Sequence, residues 1–175
     1  SGTACVDGIP VIQLHHCVGP MMPMEEFDDP QAVRDRFAVL CGTGAVPGGF
    51  GGVPHLALDQ PGGETGQRKC ASLHVPASGA FFADHFPRRP VFPGTLLMHM
   101  NLQLASALAA EIGRWTVRSV SDVKIRSFTP PGEILEIEAK LHERSGDTAV
   151  VTVETRKGKK LVGGARVLLS AGECS

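Results

Sequence analysis

Tyrosine is absent from this 175-residue chain, so no step of its chemistry can use a phenol of its own. No apolar run approaches the roughly 20 residues that a membrane-spanning helix needs. No basic segment followed by a short apolar one reads as a secretory signal. The formal net charge is −1, which withholds the basic footprint of a nucleic-acid binder. The five cysteines, Cys5, Cys17, Cys41, Cys70 and Cys174, are odd in number, with no C-x-x-C pair and no histidine at zinc-finger spacing. They read as reduced thiols of a cytosolic protein, and neither a metal nor a cofactor is expected.

What is present is ordinary: 42% of residues are hydrophobic and 20% charged, enough for one domain with a core of its own. The chain opens Ser1-Gly2 without a methionine, which reads as a processed chain or a piece of a longer polypeptide. Residues 1–28 are rich in proline and methionine without sustained periodicity and are expected to form an extended arm. The Met21-Met22-Pro23-Met24 run reads as its apolar anchor. Asp29-Pro30 looks like an N-cap followed by proline at the first helical position. Val33, Phe37 and Leu40 then predict a short amphipathic helix to about Cys41. Residues 42–52 hold six glycines and a proline and read as loop. The main domain is therefore expected over 53–175, behind an arm, short helix and glycine-rich loop over 1–52.

Past this boundary the period changes. A strand is expected over Val53–Leu58, a turn over Gln60–Gly66, and an alternating strand over Gln67–Val75. An almost uninterrupted apolar helix pattern runs from Thr95 to about Gly113. Beyond it, Val123 and Ile125 alternate with Lys124 and Arg126. Leu135, Ile137, Ala139 and Leu141 alternate with Glu136, Glu138, Lys140 and His142, as in a strand with one wet face. Ser145-Gly146-Asp147 and Lys157-Gly158-Lys159 supply hairpin turns around two further β-branched strands. Five or six one-sided strands and one apolar helix predict an α+β domain in which the sheet curls around the helix.

The segment joining the two halves carries the chemistry. His85-Phe86-Pro87-Arg88-Arg89-Pro90-Val91-Phe92-Pro93-Gly94 sets one histidine in a turn stiffened by three prolines, directly ahead of the long helix. Proline fixes φ and removes a donor, so the run can be neither helix nor central strand. A rigid loop that delivers an imidazole to a helix N-terminus suits acid–base work.

Phe81-Phe82-Ala83-Asp84-His85-Phe86-Pro87 resembles the Phe-Phe-x-Gly-His-Phe-Pro signature of the 3-hydroxyacyl-ACP dehydratases, with Asp84 where glycine is usual. Aspartate tolerates left-handed backbone better than most residues, so the exchange is read as mild. Phe128-Thr129-Pro130-Pro131-Gly132-Glu133-Ile134-Leu135 resembles their second landmark, a Pro-Gly-Asp-x-Leu turn. The resemblance covers roughly residues 53–170 and implies a hotdog fold. It also implies removal of water from a 3-hydroxyacyl thioester of acyl carrier protein or coenzyme A, in fatty-acid or polyketide metabolism. By this resemblance His85 takes the α-proton. The backbone N–H groups near Gly94 and Thr95 polarise the thioester carbonyl, and Phe86 and Pro93 lie along the substrate's path.

The chain departs from the family at one position. The usual Asp or Glu stands fourteen residues after the histidine, and here that residue is His99; the glutamine expected four residues later is present as Gln103. Thr95, His99 and Gln103 share one helix face. His99 is thus either a substitute general acid or a histidine that simply bonds a neighbour in a site that no longer dehydrates. A metal held by His85 and His99 lacks a third ligand. The family's layout would set Arg88 and Arg89 at the tunnel mouth, where with Lys124 and Arg126 they could meet a pantetheine phosphate or an acidic carrier helix; otherwise all four are solvated surface charge. The resemblance further implies a homodimer with sheets joined edge to edge, His85 facing the partner's helix, or pairing with a second hotdog unit. A non-catalytic acyl-binding module and a hotdog thioesterase are the alternative functions.

Overall fold

The computed structural model describes residues 1–19, 21–44 and 55–171. Its centre is a six-stranded antiparallel sheet. Strands β3 (Leu58–Glu64), β4 (Arg68–His74), β5 (Trp115–Ile125), β6 (Ile134–Ser145), β7 (Thr148–Lys157) and β8 (Lys160–Ala171) lie in the order β3-β4-β6-β7-β8-β5. The long helix α3 (Gly94–Ala110) packs on one face of it. The core is made where the two periodicities meet. From α3, Leu97, Met100, Leu104, Ala105 and Leu108 are buried; from the sheet, Leu73, Leu135, Ile137, Val151, Val153, Val167 and Leu169 close over them. Each such side chain contributes about 1.5–3 kcal/mol when removed from water. A curved antiparallel sheet wrapped around one apolar helix is the hotdog fold. The expected α+β class and the one-sided alternation of Leu135, Ile137 and Ala139 both hold.

One polar pair sits inside this core. Thr155 Oγ1 donates to Asn101 Oδ1 at 2.7 Å, both side chains are fully buried, and Asn101 Nδ2 has no partner among the described residues. Thr155→Val strips the amide of its remaining bond. It should lower stability by about 1–3 kcal/mol in urea unfolding. Adding Asn101→Leu, which removes the stranded amide, should recover most of that loss.

Several expectations are corrected. The first concerns Gln60–Gly66, which is not a turn: Pro61, Gly62 and Gly63 run within β3, and pairing resumes after a register shift between Asp59 and Gly62. Gly63, at φ 136°, makes this possible, because a Cβ there would lie 2.1 Å from the Arg68 carbonyl oxygen. The chain turns instead around Gly66, with the Gln67 N–H bonding the Glu64 carbonyl at 3.0 Å. The strand expected over Val53–Leu58 begins only at Leu58, since His55, Leu56 and Ala57 belong to no strand. Residues 53 and 54, the loop over 45–52, the boundary between 52 and 53, and Cys174 lie outside the described residues.

The second concerns the arm. It opens with a hairpin of its own, β1 (Gly2–Val6) and β2 (Ile9–Leu14), a separate two-stranded sheet turned by Asp7 and Gly8 at φ 51° and 78°. Asp-Gly between short apolar runs is a strong hairpin signal, but it occupies two residues and shows no longer periodicity. The third concerns the anchor: Met21, Met22 and Met24 are exposed, and Phe27 is the buried residue of the segment. After a 3₁₀ turn over Met24–Glu26, α1 (Pro30–Gly42) forms as expected. Asp29 Oδ1 accepts from the Gln31 and Ala32 N–H groups, and Pro30 stands at the helix start. Phe37 and Leu40, expected on its packed face, are exposed.

Candidate active site

A single turn of helix, α2 (Phe81–Asp84), leads into the histidine loop, and the His85 N–H closes it by bonding the Phe81 carbonyl at 3.0 Å. Phe81, Phe82, Val91 and Phe92 are buried and fasten the loop at both ends. The Phe92 N–H bonds the Thr129 carbonyl at 2.7 Å, which ties the loop to the second landmark over residues 128–135. The left-handed residue is Phe86, at φ 66°, while Asp84 belongs to the helical turn, so the tolerance argued for aspartate is not called upon. A bulky residue in that conformation costs about 1–3 kcal/mol.

The imidazole is half-buried, and its Nδ1 lies 2.8 Å from the Val91 carbonyl oxygen. A carbonyl only accepts, so Nδ1 carries the proton and the neutral ring keeps its lone pair on Nε2. That is the tautomer a general base needs. Helix α3 then starts at Gly94 behind Pro93, with no side-chain cap. The first backbone bonds are made by the Leu96 and Leu97 N–H groups to the Pro93 carbonyl, both at 3.0 Å, which leaves the Gly94 and Thr95 N–H groups without a partner among the described residues. Unpaired donors at a helix N-terminus favour developing negative charge. A Cβ on Gly94 would meet only the Ile125 side chain, at 3.4 Å, so internal packing does not demand glycine there.

Thr95, His99 and Gln103 do share one exposed face of α3. Gln103 Nε2 lies 3.0 Å from His99 Nε2. With the amide donating, His99 Nε2 accepts and its neutral ring holds the proton on Nδ1. Among the described residues no hydrogen bond joins His85 to His99 or Gln103.

Arg88 and Arg89 are turned onto the N-terminal segment. Arg88 Nη1 donates to the Glu25 carbonyl and Nη2 to Asp29 Oδ2, both at 3.0 Å. Arg89 stacks over the Phe27 and Phe128 rings at 5.5 and 5.7 Å, with Glu26 at 3.8 Å. The Asp29 carboxyl is held below its ordinary range, first by the Ala32 and Gln31 N–H groups and then by Arg88 and Arg34. Lys124 and Arg126 are exposed. Cys70 is half-buried on β4, and burial pushes its thiol up, the opposite of an activated nucleophile. Among the described residues no helix is long and apolar enough to cross a membrane, and no cluster of three His, Cys, Asp or Glu could hold a metal ion. The sequence reading missed Phe27 and the Val91 carbonyl. A backbone oxygen leaves no mark in a sequence, and a lone phenylalanine in an irregular segment carries no period.

The family described as ApeI-like, ApeI dehydratase, matches residues 63–165, which hold the histidine loop, α3 and most of the sheet. The chain belongs to this dehydratase family. A 3-hydroxyacyl-[acyl-carrier-protein] dehydratase FabZ of Lactococcus lactis subsp. cremoris is 30% identical over 125 residues, covering 69% of this chain and 87% of that protein. Among solved structures, the dehydratase heterocomplex ApeI:P from Xenorhabdus doucetiae superposes with a TM-score of 0.56 at 18% identity, over 67% of this chain and 99% of that one. A hypothetical thioesterase protein from Streptococcus pneumoniae reaches the same TM-score of 0.56 at 9% identity, over 71% and 96%. Likenesses that distant establish the hotdog fold alone. Membership supports 3-hydroxyacyl dehydration as the general chemistry.

Proposed function

We propose that the protein removes water from 3-hydroxyacyl thioesters carried on acyl carrier protein or coenzyme A, with His85 as the base. The observation that carries this reading is the bond from His85 Nδ1 to the Val91 carbonyl, which leaves Nε2 free to accept a proton. In the step, Nε2 takes the α-hydrogen as a proton, and the C–H electrons form the C2–C3 double bond. The C3 hydroxyl departs with an added proton as water. Negative charge gathers on the thioester oxygen meanwhile, and the unpaired Gly94 and Thr95 N–H groups are suited to receive it.

His99 stands where the family's acid is expected. With Gln103 donating to its Nε2, the neutral His99 ring offers the leaving hydroxyl an Nδ1–H hydrogen bond. The proton that completes water is the one His85 Nε2 has taken from the α-carbon. Gln103 positions the His99 ring, while Phe86 and Pro93 flank the substrate's path. The reading places the complete site across two hotdog units, His85 of one facing the α3 stripe of the other. The exposed stripe supports this, as does the free outer edge of β5, where Val117, Val123 and Ile125 are exposed.

Incubation with a 3-hydroxyacyl thioester, following enoyl product and free thiol together, tests the reading. Enoyl thioester without free thiol is expected. Free thiol without enoyl product would make the protein a thioesterase. Binding with neither product would make it an acyl-binding module.

A further inference from the structure

Phe86 directly follows His85, so its backbone angle sets how the chain leaves the imidazole. Its left-handed conformation, φ 66°, is not one that phenylalanine adopts unaided, and it persists only where the surroundings over-determine it. Part of those surroundings lies within the family's span of residues 63–165, where Phe128 packs on Phe86 with centroids 6.4 Å apart, and part comes from outside it. Phe27 is buried, and its ring meets Phe86 edge-on at 5.1 Å and Phe128 at 5.5 Å. The Phe27 carbonyl accepts the Arg88 N–H at 2.9 Å, two residues past Phe86. Asp29 works in two directions: Oδ1 caps α1 and Oδ2 holds Arg88. Glu25 and Glu26 complete the grip through Arg88 and Arg89.

The exposed ion pairs are weak contributors, since solvent screens them. The dominant contact is therefore the buried Phe27 ring, which packs against both Phe86 and Phe128 and closes a triangle of three rings. With that ring gone, Phe86 is free to relax to negative φ, and the His85–Val91 bond loses its support. The segment before α1 is thus an accessory part of the site rather than a tether.

We propose that residues 24–29 form a positioning clamp for the catalytic loop, with Phe27 as the positioning residue that keeps His85 in its Nδ1-protonated, base-competent pose. This rests on the reading of His85 as the base. The test is Phe27→Ala in the full 175-residue chain, read by steady-state kinetics and by 15N NMR of the His85 ring. We expect kcat on a 3-hydroxyacyl-CoA to fall about 10- to 100-fold, as for a misplaced catalytic group. KM should stay nearly constant, and the fixed Nδ1–H signature of His85 should give way to averaged nitrogen signals. Phe27→Leu, which refills the space, should restore most of both.

An unchanged kcat, or a fall in kcat with wild-type His85 signals, overturns the clamp. If the wild-type chain shows no turnover at all, the functional reading fails. The nitrogen spectrum of Phe27→Ala then still judges the clamp by itself. Should Phe27→Ala not fold, Phe27→Val, a milder truncation that still removes the ring, must move the same His85 signals, and unmoved signals overturn the proposal.

Discussion

His85→Ala is expected to reduce enoyl thioester formation by at least about 10²–10⁴-fold, the span attributed to a positioned general base. The fold should hardly notice. Among the described residues the imidazole makes one hydrogen bond, to the Val91 carbonyl, and the loop is otherwise pinned by Phe81, Phe82, Val91 and Phe92. Loss of a single half-exposed bond of that kind costs about 0.5–1.5 kcal/mol. The comparison that matters is therefore the rate at matched folding, checked by thermal melting. A variant that keeps the wild-type rate removes His85 from the mechanism. The Gly94 and Thr95 N–H groups would then be the remaining source of any acceleration.

His99→Glu should move the rate the other way. The wild-type ring, with Nε2 accepting from Gln103, has only Nδ1–H to offer the leaving hydroxyl. A carboxylic acid at the same place on the α3 face would present an O–H donor and could take its second bond from the Gln103 amide. Glutamate also has the higher helix propensity, so no stability penalty is expected. We expect a gain of at least about tenfold in kcat, short of the full general-acid effect of 10²–10⁴. Single-turnover formation of enoyl product is the measurement. A folded His99→Glu protein with no gain would mean that the stripe Thr95, His99 and Gln103 lacks more than its acid.

Much of this architecture is legible in the chain because it is periodic. Leu135, Ile137 and Ala139 alternate with polar residues and are buried as that pattern requires, and the glycines at 146 and 158 turn the hairpins where expected. Gly63 shows where local reading fails. Pro61-Gly62-Gly63 has the composition of a turn, yet lies within a strand, because the backbone must pass close to the Arg68 carbonyl. The arm failed for the opposite reason. Its hairpin turns on two residues, Asp7 and Gly8, too short a signal to appear as a period.

By itself the sequence determined that a histidine would sit in a stiff turn ahead of an apolar helix, since proline geometry and 3.6-residue spacing are local properties. It also placed a histidine, His99, fourteen residues after His85, where the resemblance leads one to expect an acid. Only the tertiary structure decided which imidazole nitrogen is free, because that depends on the carbonyl of Val91. Only the tertiary structure, too, turned Arg88 and Arg89 onto Glu25, Glu26 and Asp29, and brought Phe27 against Phe86. These contacts join residues far apart in the chain or pass through backbone atoms common to every residue, and neither kind leaves a period for a sequence to show.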